Sequence, residues 1–133
     1  MKKRASTKKI NPVLYALVGA LLRPYLRLMY RFSVPKDVPE LPPGPNLLLG
    51  AHSSNLDFLF VVPTLPKKRF NAVVTSYFFN DRRLALLLRF FHCIEKEQFR
   101  VDVAAIRDMR ASIKNGASVL IYPEGEVNGT GRC

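Results

Sequence analysis

Residues 47–60, LLLGAHSSNLDFLF, indicate the fold of this chain, because an apolar run passes through a short polar turn into a second apolar segment. Residues 47–51 are a short apolar run, which predicts a buried strand. Ser53 and Ser54 are residues that cap helices, and they predict a helix through residues 55–60. A strand, a turn and a helix in this order are the repeating unit of α/β domains.

The same alternation continues along the rest of the chain. Further strands are predicted at residues 72–75, 92–95 and 118–122, and helices at residues 82–91 and 101–114. Asn115-Gly116 is a typical helix end. The sequence therefore predicts an α/β fold with a mixed, mainly parallel sheet flanked by helices. Ligand sites in such folds lie in the turns that follow the strands.

The composition limits the class of protein. The 133 residues are the length of one small domain, and the 48% apolar share excludes intrinsic disorder as the main interpretation. Two cysteines, Cys93 and Cys133, cannot form a disulfide framework, which favours a reducing compartment. No run of about 20 apolar residues occurs, so a conventional membrane span is not expected.

Positive charge is concentrated in the first quarter of the chain. The formal net charge is +11, and residues 1–36 hold nine basic residues and no acidic one. Residues 37–133 hold 12 basic and 10 acidic residues, so the body is nearly neutral. This asymmetry predicts a polyanionic partner, either a nucleic acid or an anionic membrane surface.

Residues 11–32, NPVLYALVGALLRPYLRLMYRF, predict an amphipathic helix. Asn11 is its expected cap and Pro12 suits its first turn, whereas Pro24 is expected to kink or split it. Arg23, Arg27 and Arg31 are spaced by four and predict a polar stripe. The apolar residues at helical spacing are Leu14, Leu17, Val18, Leu21, Leu22, Tyr25, Leu28 and Met29.

A long apolar face beside an arginine stripe is typical of a helix in the headgroup region of a membrane. Packing of that face on the chain's own domain is the alternative, and a kink would allow one half to contact lipid and the other half protein. Nucleic acid is not expected, because the basic residues alternate with Leu and Met rather than with stacking aromatic residues. A secretory signal is disfavoured, because arginines follow the apolar core and no small-residue cleavage site does.

The chain divides into three parts. Residues 1–34 are a basic segment with the amphipathic helix, and residues 46–133 are the α/β domain. Residues 35–45, PKDVPELPPGP, lie between them and contain five prolines and one glycine, which predicts an extended linker.

Two strand ends carry chemically useful side chains. His52 and Asp57 follow the first strand, and an aspartate bonded to one ring nitrogen makes the other nitrogen a better proton acceptor. His52 is therefore a candidate general base, and the alternative is a capping turn with an incidental histidine. After the last strand, Pro123 and Gly125 flank Glu124 and predict a turn that presents its carboxylate. The alternative there is a loop glutamate in water.

Together these two blocks resemble the glycerolipid acyltransferase family typified by lysophosphatidate acyltransferase. That family pairs His-x-x-x-x-Asp after one strand with Phe-Pro-Glu-Gly after a later strand. This chain has His52 to Asp57 and Tyr122 to Gly125 in the same order. A middle block of the family, usually ending Phe-Ile-Asp-Arg, corresponds to residues 93–96, Cys-Ile-Glu-Lys. The resemblance covers roughly residues 12–132.

The resemblance implies an enzyme of phospholipid biosynthesis at the cytoplasmic face of a membrane. It would move a fatty acyl group from acyl-CoA or acyl carrier protein to a (lyso)glycerophospholipid hydroxyl. His52 would be the catalytic base and Asp57 its orienting partner. Substrate contacts would come from Lys96, Glu124, Gly125 and Arg132. Direct transfer needs no covalent enzyme intermediate and no cofactor beyond the thioester co-substrate, and no metal is expected.

The resemblance is incomplete in two places. The family usually continues its last block with Thr-Arg-Ser, whose arginine is associated with the acceptor phosphate, whereas residues 126–128 here are Glu-Val-Asn. Two acids, Glu124 and Glu126, repel a phosphate unless cations such as Lys96 or Arg132 intervene. The family also continues through a further block and more strands, so the chain is expected to lack the C-terminal part of the domain.

Two other interpretations stay open. The first is a basic peripheral lipid-binding fragment without catalysis, which the charged front segment alone would explain. The second is a lipid hydrolase that uses Ser53 or Ser54, although helix capping explains both serines and no Gly-x-Ser-x-Gly elbow is present. Cys93 is expected to be a small buried apolar group rather than a nucleophile.

Overall fold

The structure, a computed structural model, describes residues 10–52, 54 and 57–124. Its helices are α1 (Pro12–Tyr30), α2 (Asp57–Thr64), α3 (Arg82–Phe90) and α4 (Val103–Lys114). Its strands are β1 (Leu47–Leu49), β2 (Phe70–Thr75), β3 (Ile94–Lys96) and β4 (Ser118–Ile121). A 3₁₀ helix, Ser76–Phe79, follows β2 and was not indicated by the sequence. The described body alternates strand and helix, as the sequence predicts. The prediction that the first strand is buried is wrong, because β1 lies at the edge of the sheet and Leu47 and Leu49 are exposed.

The four strands form a sheet in the order β1-β4-β2-β3, and every neighbouring pair is parallel. Leu120 of β4 lies opposite both Leu48 of β1 and Ala72 of β2. Thr75, the last residue of β2, lies opposite Lys96, the last residue of β3. The predicted fold class, α/β with a mainly parallel sheet, is confirmed. Because parallel strands end at the same edge, the residues that follow β1, β3 and β4 meet there.

Helices cover both faces of the sheet. The larger hydrophobic cluster packs side chains of α1, α2 and α3 against Ala72 and Leu120. The smaller cluster packs Ala105 of α4 against Ile94 and Val119. Val119 and Leu120 are neighbours in β4 and therefore point to opposite faces. The helices α1, α2 and α3 thus lie on one face of the sheet and α4 lies on the other.

Local side-chain hydrogen bonds fix where the helices begin and end. Oδ1 of Asn11 accepts hydrogen bonds from two backbone N–H groups in the first turn of α1, at 2.9 and 3.4 Å, which confirms the predicted cap. Asp81 and Asp102 cap α3 and α4 in the same way. Gly116, with φ of 75°, follows α4 at the end that the sequence predicts.

Helix α1 continues through Pro24, so of the two predicted effects, a kink or a split, the proline does not cause the split. Contacts on both sides of the proline hold the helix together. Tyr15 and Leu26 are both buried, at 2% and 3% exposure, and Nη2 of Arg23 donates to the carbonyl oxygen of Pro63 at 3.0 Å. These tertiary contacts outweigh the one backbone hydrogen bond that a proline removes.

The apolar residues of α1 occupy two adjoining faces rather than one. One face packs on α2, where a Cβ added at Gly19 would be in ordinary van der Waals contact with Val62, 3.7 Å from its Cγ1. The other face is exposed although it is apolar; it consists of Leu14, Leu17, Leu21, Tyr25 and Leu28. Along its whole length, α1 therefore has one side against the protein and one side in solvent, because the packed and exposed residues alternate with the helical period. Its two halves do not differ in this respect.

Among the described helices, α1 is long and apolar enough to cross a membrane by length and composition. This result corrects the expectation that no such segment exists, because 19 helical residues reach the required mean hydropathy although arginines interrupt them. The exposed apolar face weakly indicates membrane association.

Candidate active site

A cavity of about 330 Å³ opens at the edge of the sheet where the parallel strands end. Its wall combines residues that follow three strands with residues of the 3₁₀ helix and of α2. The lining includes His52, Phe58, Phe78, Lys96, Phe99, Tyr122 and Glu124. The position agrees with the rule that open parallel sheets bind ligands beyond the carboxyl ends of their strands.

His52 and Asp57 are in direct contact in the turn between β1 and α2. Nδ1 of His52 lies 3.1 Å from Oδ2 of Asp57, and both side chains are largely buried, with 17% and 15% exposure. A carboxylate can only accept, so Nδ1 carries the proton and Nε2 of the neutral ring is the acceptor. The contact is possible because His52 precedes α2 and Asp57 is its first residue.

The turn itself holds the carboxylate in place. The backbone N–H of Ser54 donates to the same Oδ2 at 2.8 Å, and the backbone N–H of Asp57 donates to the carbonyl of Ser54 at 3.0 Å. Asp57 also lies in the first turn of α2, where the helix dipole favours a negative charge. Asp57 is thus fixed before any substrate binds. The catalytic roles of His52 and Asp57 stay predictions.

Tyr122 is a site residue to which the sequence pattern assigns no role of its own. Its ring stacks on the imidazole of His52, with centroids 4.6 Å apart and planes at 23°. An added Cβ at Gly50 would lie 2.7 Å from Cε1 of Tyr122, so only glycine leaves room for this ring. The signal available in the sequence is the aromatic residue directly before Pro123.

The hydroxyl of Tyr122 is buried and has no hydrogen-bond partner among the described residues. Burial raises the pKa of Tyr122 well above its ordinary value of 10.0, and the negative charges of Asp57 and of an ionised Cys93 act in the same direction. The phenol is therefore neutral at physiological pH.

The predicted substrate residues are placed as follows. Lys96 ends β3 and lines the cavity, and its Nζ donates to the carbonyl of Glu97 at 3.0 Å. Glu124 also lines the cavity and is exposed. Gly125 and Arg132 lie outside the described residues. The roles of all four in substrate binding stay predictions.

Phe99 is a further cavity residue that the sequence did not indicate. Its side chain is 82% exposed, and its backbone has φ of 59°, a conformation that is unusual for a bulky residue. Because Phe99 lines the cavity and still faces solvent, it forms part of the rim.

The described residues at this edge of the sheet provide neither a thiol nucleophile nor a group of metal ligands. Cys93 is fully buried, at 0% exposure, and burial raises the pKa of its thiol to about 12, so it is neutral and inaccessible. Cys93 is the small buried group that the sequence predicts. Within residues 10–52, 54 and 57–124, no three His, Cys, Asp or Glu side chains are grouped as a metal site.

Comparison with known proteins identifies one family. The family model described as Acyltransferase matches residues 31–133, which is well over half of the chain and includes every residue of the site described above. No curated protein and no solved structure matches the chain.

Proposed function

The chain belongs to the acyltransferase family, and we propose that it transfers a fatty acyl group from a thioester of coenzyme A or acyl carrier protein to a hydroxyl of a (lyso)glycerophospholipid. The observation that carries this proposal is the contact of Asp57 with His52, whose imidazole lines the cavity. A buried imidazole whose Nδ1–H is held by a carboxylate is a suitable base for an alcohol.

The proposed reaction is a direct displacement. Nε2 of His52 accepts the proton of the acceptor hydroxyl while its oxygen attacks the thioester carbonyl carbon. The carbon–sulfur bond then breaks, and the leaving thiolate takes the proton back from the imidazolium. The products are the ester and the free thiol, and the histidine returns to its neutral form. Asp57 stabilises the imidazolium between these two steps through the hydrogen bond at 3.1 Å.

The cavity supports a substrate that is partly apolar and partly charged. Phe58 and Phe78 give part of the wall an apolar surface, which suits methylene groups near the thioester. Lys96 supplies a positive charge and Glu124 a negative one at the same cavity. We infer that Lys96 contacts an anionic group of the acceptor and that Glu124 accepts a hydrogen bond from an acceptor hydroxyl. Gly125 is assigned to the acceptor by the family resemblance alone, and Arg132 is assigned as a cation that offsets the charges of Glu124 and Glu126.

An anionic membrane surface is the proposed partner, and its cytoplasmic face the proposed location. The exposed apolar face of α1 includes Leu21 at 65% and Leu28 at 79% exposure, which water solvates poorly. On another side of the same helix, Arg23 and Arg27 line an open pocket of about 420 Å³ together with Phe32, Ser33 and Val34. Guanidinium groups beside an exposed apolar helix face suit lipid phosphates at the membrane interface.

The same helix favours a second candidate, a lipid-binding protein that has lost catalysis. Its basic and apolar surfaces would bind vesicles without any turnover. The two candidates differ in one respect, because only the enzyme requires the His52–Asp57 contact to act on a thioester.

The test is thiol release from acyl-CoA with lysophosphatidate as acceptor, together with vesicle binding. His52→Ala should lower kcat/KM by about a hundredfold or more, because a general base contributes that much. His92→Asn is the matched control: it changes the other histidine, which does not line the cavity, and asparagine tolerates its φ of 51°. An unchanged rate in His52→Ala would refute the assigned base. Vesicle binding without turnover on acyl-CoA or acyl carrier protein would favour the lipid-binding protein.

A further inference from the structure

We propose that the ring of Tyr122 stabilises the imidazolium that forms at His52 during acyl transfer. The proposal deepens the proposed function, on which it rests, and it adds to Asp57 a second group that favours the protonated base. Tyr122 is thereby a positioning residue that acts through His52.

The geometry of the two rings carries the proposal. Their centroids are 4.6 Å apart and their planes differ by 23°, so the imidazole lies on the face of the tyrosine ring rather than at its edge. The face of an aromatic ring is electronegative and its edge electropositive. A cation within about 6 Å of the ring centroid is attracted to the face. The neutral imidazole lacks this attraction, so the contact becomes stronger as the proton is transferred.

The surroundings keep the two rings together. Gly50 lies against Cδ1 and Cε1 of Tyr122, and the backbone N–H of Gly50 donates to the carbonyl of Ile121 at 3.0 Å. This hydrogen bond joins the chain just before His52 to the chain just before Tyr122. The imidazole of His52 is also held by the hydrogen bond between its Nδ1 and Asp57. The stack is thus built by β1 and β4 and does not depend on a bound substrate.

Other charged groups near His52 do not replace this contact. Asp57 of α2 bonds to Nδ1, in the plane of the imidazole, whereas Tyr122 covers the face of the ring. Lys96 from β3 and Glu124 from the turn after β4 line the same cavity with opposite charges. Cys93, whose ionised form would act on Tyr122, is neutral at physiological pH because burial raises its pKa to about 12. The hydroxyl has no partner among the described residues, so the ring and not the hydroxyl supplies the stabilisation.

The experiment compares Tyr122→Phe, which keeps the ring, with Tyr122→Leu, which removes it. The pKa of His52 is measured by NMR titration of its imidazole protons, and the acid limb of kcat/KM is measured in parallel. Tyr122→Leu should lower the pKa of His52 by about half a unit to one unit and move the acid limb equally. Tyr122→Phe should leave both values unchanged. Hydration of a loosened site would raise the pKa of the imidazole, whereas a weakened bond to Asp57 would lower it. Measuring the shift in the Asp57→Asn background separates that second effect from the effect of the ring.

Two outcomes would overturn the proposal. One is an unchanged or raised pKa of His52 in a folded Tyr122→Leu variant. The other is a shift that disappears in the Asp57→Asn background, because Tyr122 would then act only by aligning the bond to Asp57. The NMR titration needs no turnover. Absence of acyl transfer with a normal pKa shift would therefore count against the proposed function and leave the ring effect established.

Discussion

His52 and Asp57 are joined by a hydrogen bond of 3.1 Å between Nδ1 and Oδ2, although one precedes α2 and the other is its first residue. The same Oδ2 accepts the backbone N–H of Ser54 at 2.8 Å. The backbone of the turn therefore holds the Asp57 carboxylate, and the carboxylate holds the His52 imidazole. This second contact fixes the tautomer with the proton on Nδ1.

Asp57→Asn should lower kcat/KM by about 10²- to 10⁴-fold while the protein stays folded. The side-chain amide of asparagine can donate to Nδ1, which favours the proton on Nε2 and removes the base. The measurement is steady-state thiol release. Asp81→Asn is the matched control, because asparagine caps α3 as well as aspartate does and Asp81 lies outside the cavity lining. Equal rates in the two variants would contradict the tautomer assignment.

Gly50→Ala should lower both activity and stability. The new Cβ would lie 2.7 Å from Cε1 of Tyr122, so the ring must move away from His52. Overpacking of this kind costs about 1–3 kcal/mol. Gly19→Ala is the control, because its Cβ meets Val62 at an ordinary 3.7 Å and an alanine stabilises a helix interior by up to about 1 kcal/mol. Urea denaturation should show a lower free energy of unfolding for Gly50→Ala and a higher one for Gly19→Ala. A Gly50→Ala variant that is stable and active would refute the close contact.

Tyr122→Phe should increase the free energy of unfolding by about 1 kcal/mol. The substitution removes a buried hydroxyl that has no partner among the described residues and keeps the ring on His52. Tyr15→Phe serves for comparison, because the hydroxyl of Tyr15 donates to the carbonyl of Leu65 at 3.5 Å and its loss should not stabilise. Thermal unfolding measures both. A lower Tm for Tyr122→Phe would show that the hydroxyl has a partner.

The free energy of unfolding should decrease at alkaline pH, because a buried thiol and a buried phenol keep their protons longer in the folded protein than in the unfolded chain. The pKa of Cys93 rises from 9.0 to about 12 on folding, so the unfolded chain loses this proton first. The stabilisation is complete below about pH 9 and is lost as pH rises towards 12, with a slope of about 1.4 kcal/mol per pH unit. Tyr15, whose pKa burial also raises, contributes in the same direction above pH 10.

Cys93→Ala isolates the cysteine's share of this effect. Between pH 8 and pH 10.5, its free energy of unfolding should fall by about 2 kcal/mol less than that of the unaltered protein. Urea denaturation at the two pH values provides the measurement. Identical losses in both proteins would mean that the thiol titrates normally in the folded state.

The exposed apolar face of α1 should decide vesicle binding. Leu21→Gln combined with Leu28→Gln should weaken binding to vesicles with 30% anionic lipid by about tenfold or more, because each side chain loses burial in the interface. Leu86→Gln, on α3 and 72% exposed, is the control for loss of an exposed leucine elsewhere. Binding should also weaken in 1 M salt. A control variant that binds as poorly as the double variant would remove α1 from the membrane contact.

Part of the fold followed from local sequence. Asn11 and Gly116 mark helix ends because each acts on backbone groups within a few residues. The strand at residues 72–75 was indicated by its apolar run, but β2 begins at Phe70, since the polar Asn71 hid its start. Nδ2 of Asn71 donates to Ser112 of α4 at 3.1 Å, and this distant partner is what allows an amide to be buried in the strand.

The sequence by itself determined the order of strands and helices, the turn that joins His52 to Asp57, and the basic amphipathic character of the front helix. Those features depend on residues close together in the chain. The tertiary structure alone decided that Tyr122 stacks on His52, that Lys96 reaches the same cavity, and that α1 turns one apolar face to α2 and another outward. Each of these features depends on the strand order β1-β4-β2-β3 and on the packing of the helices. His52 and Tyr122, for example, are 70 positions apart in the chain and in contact in the fold.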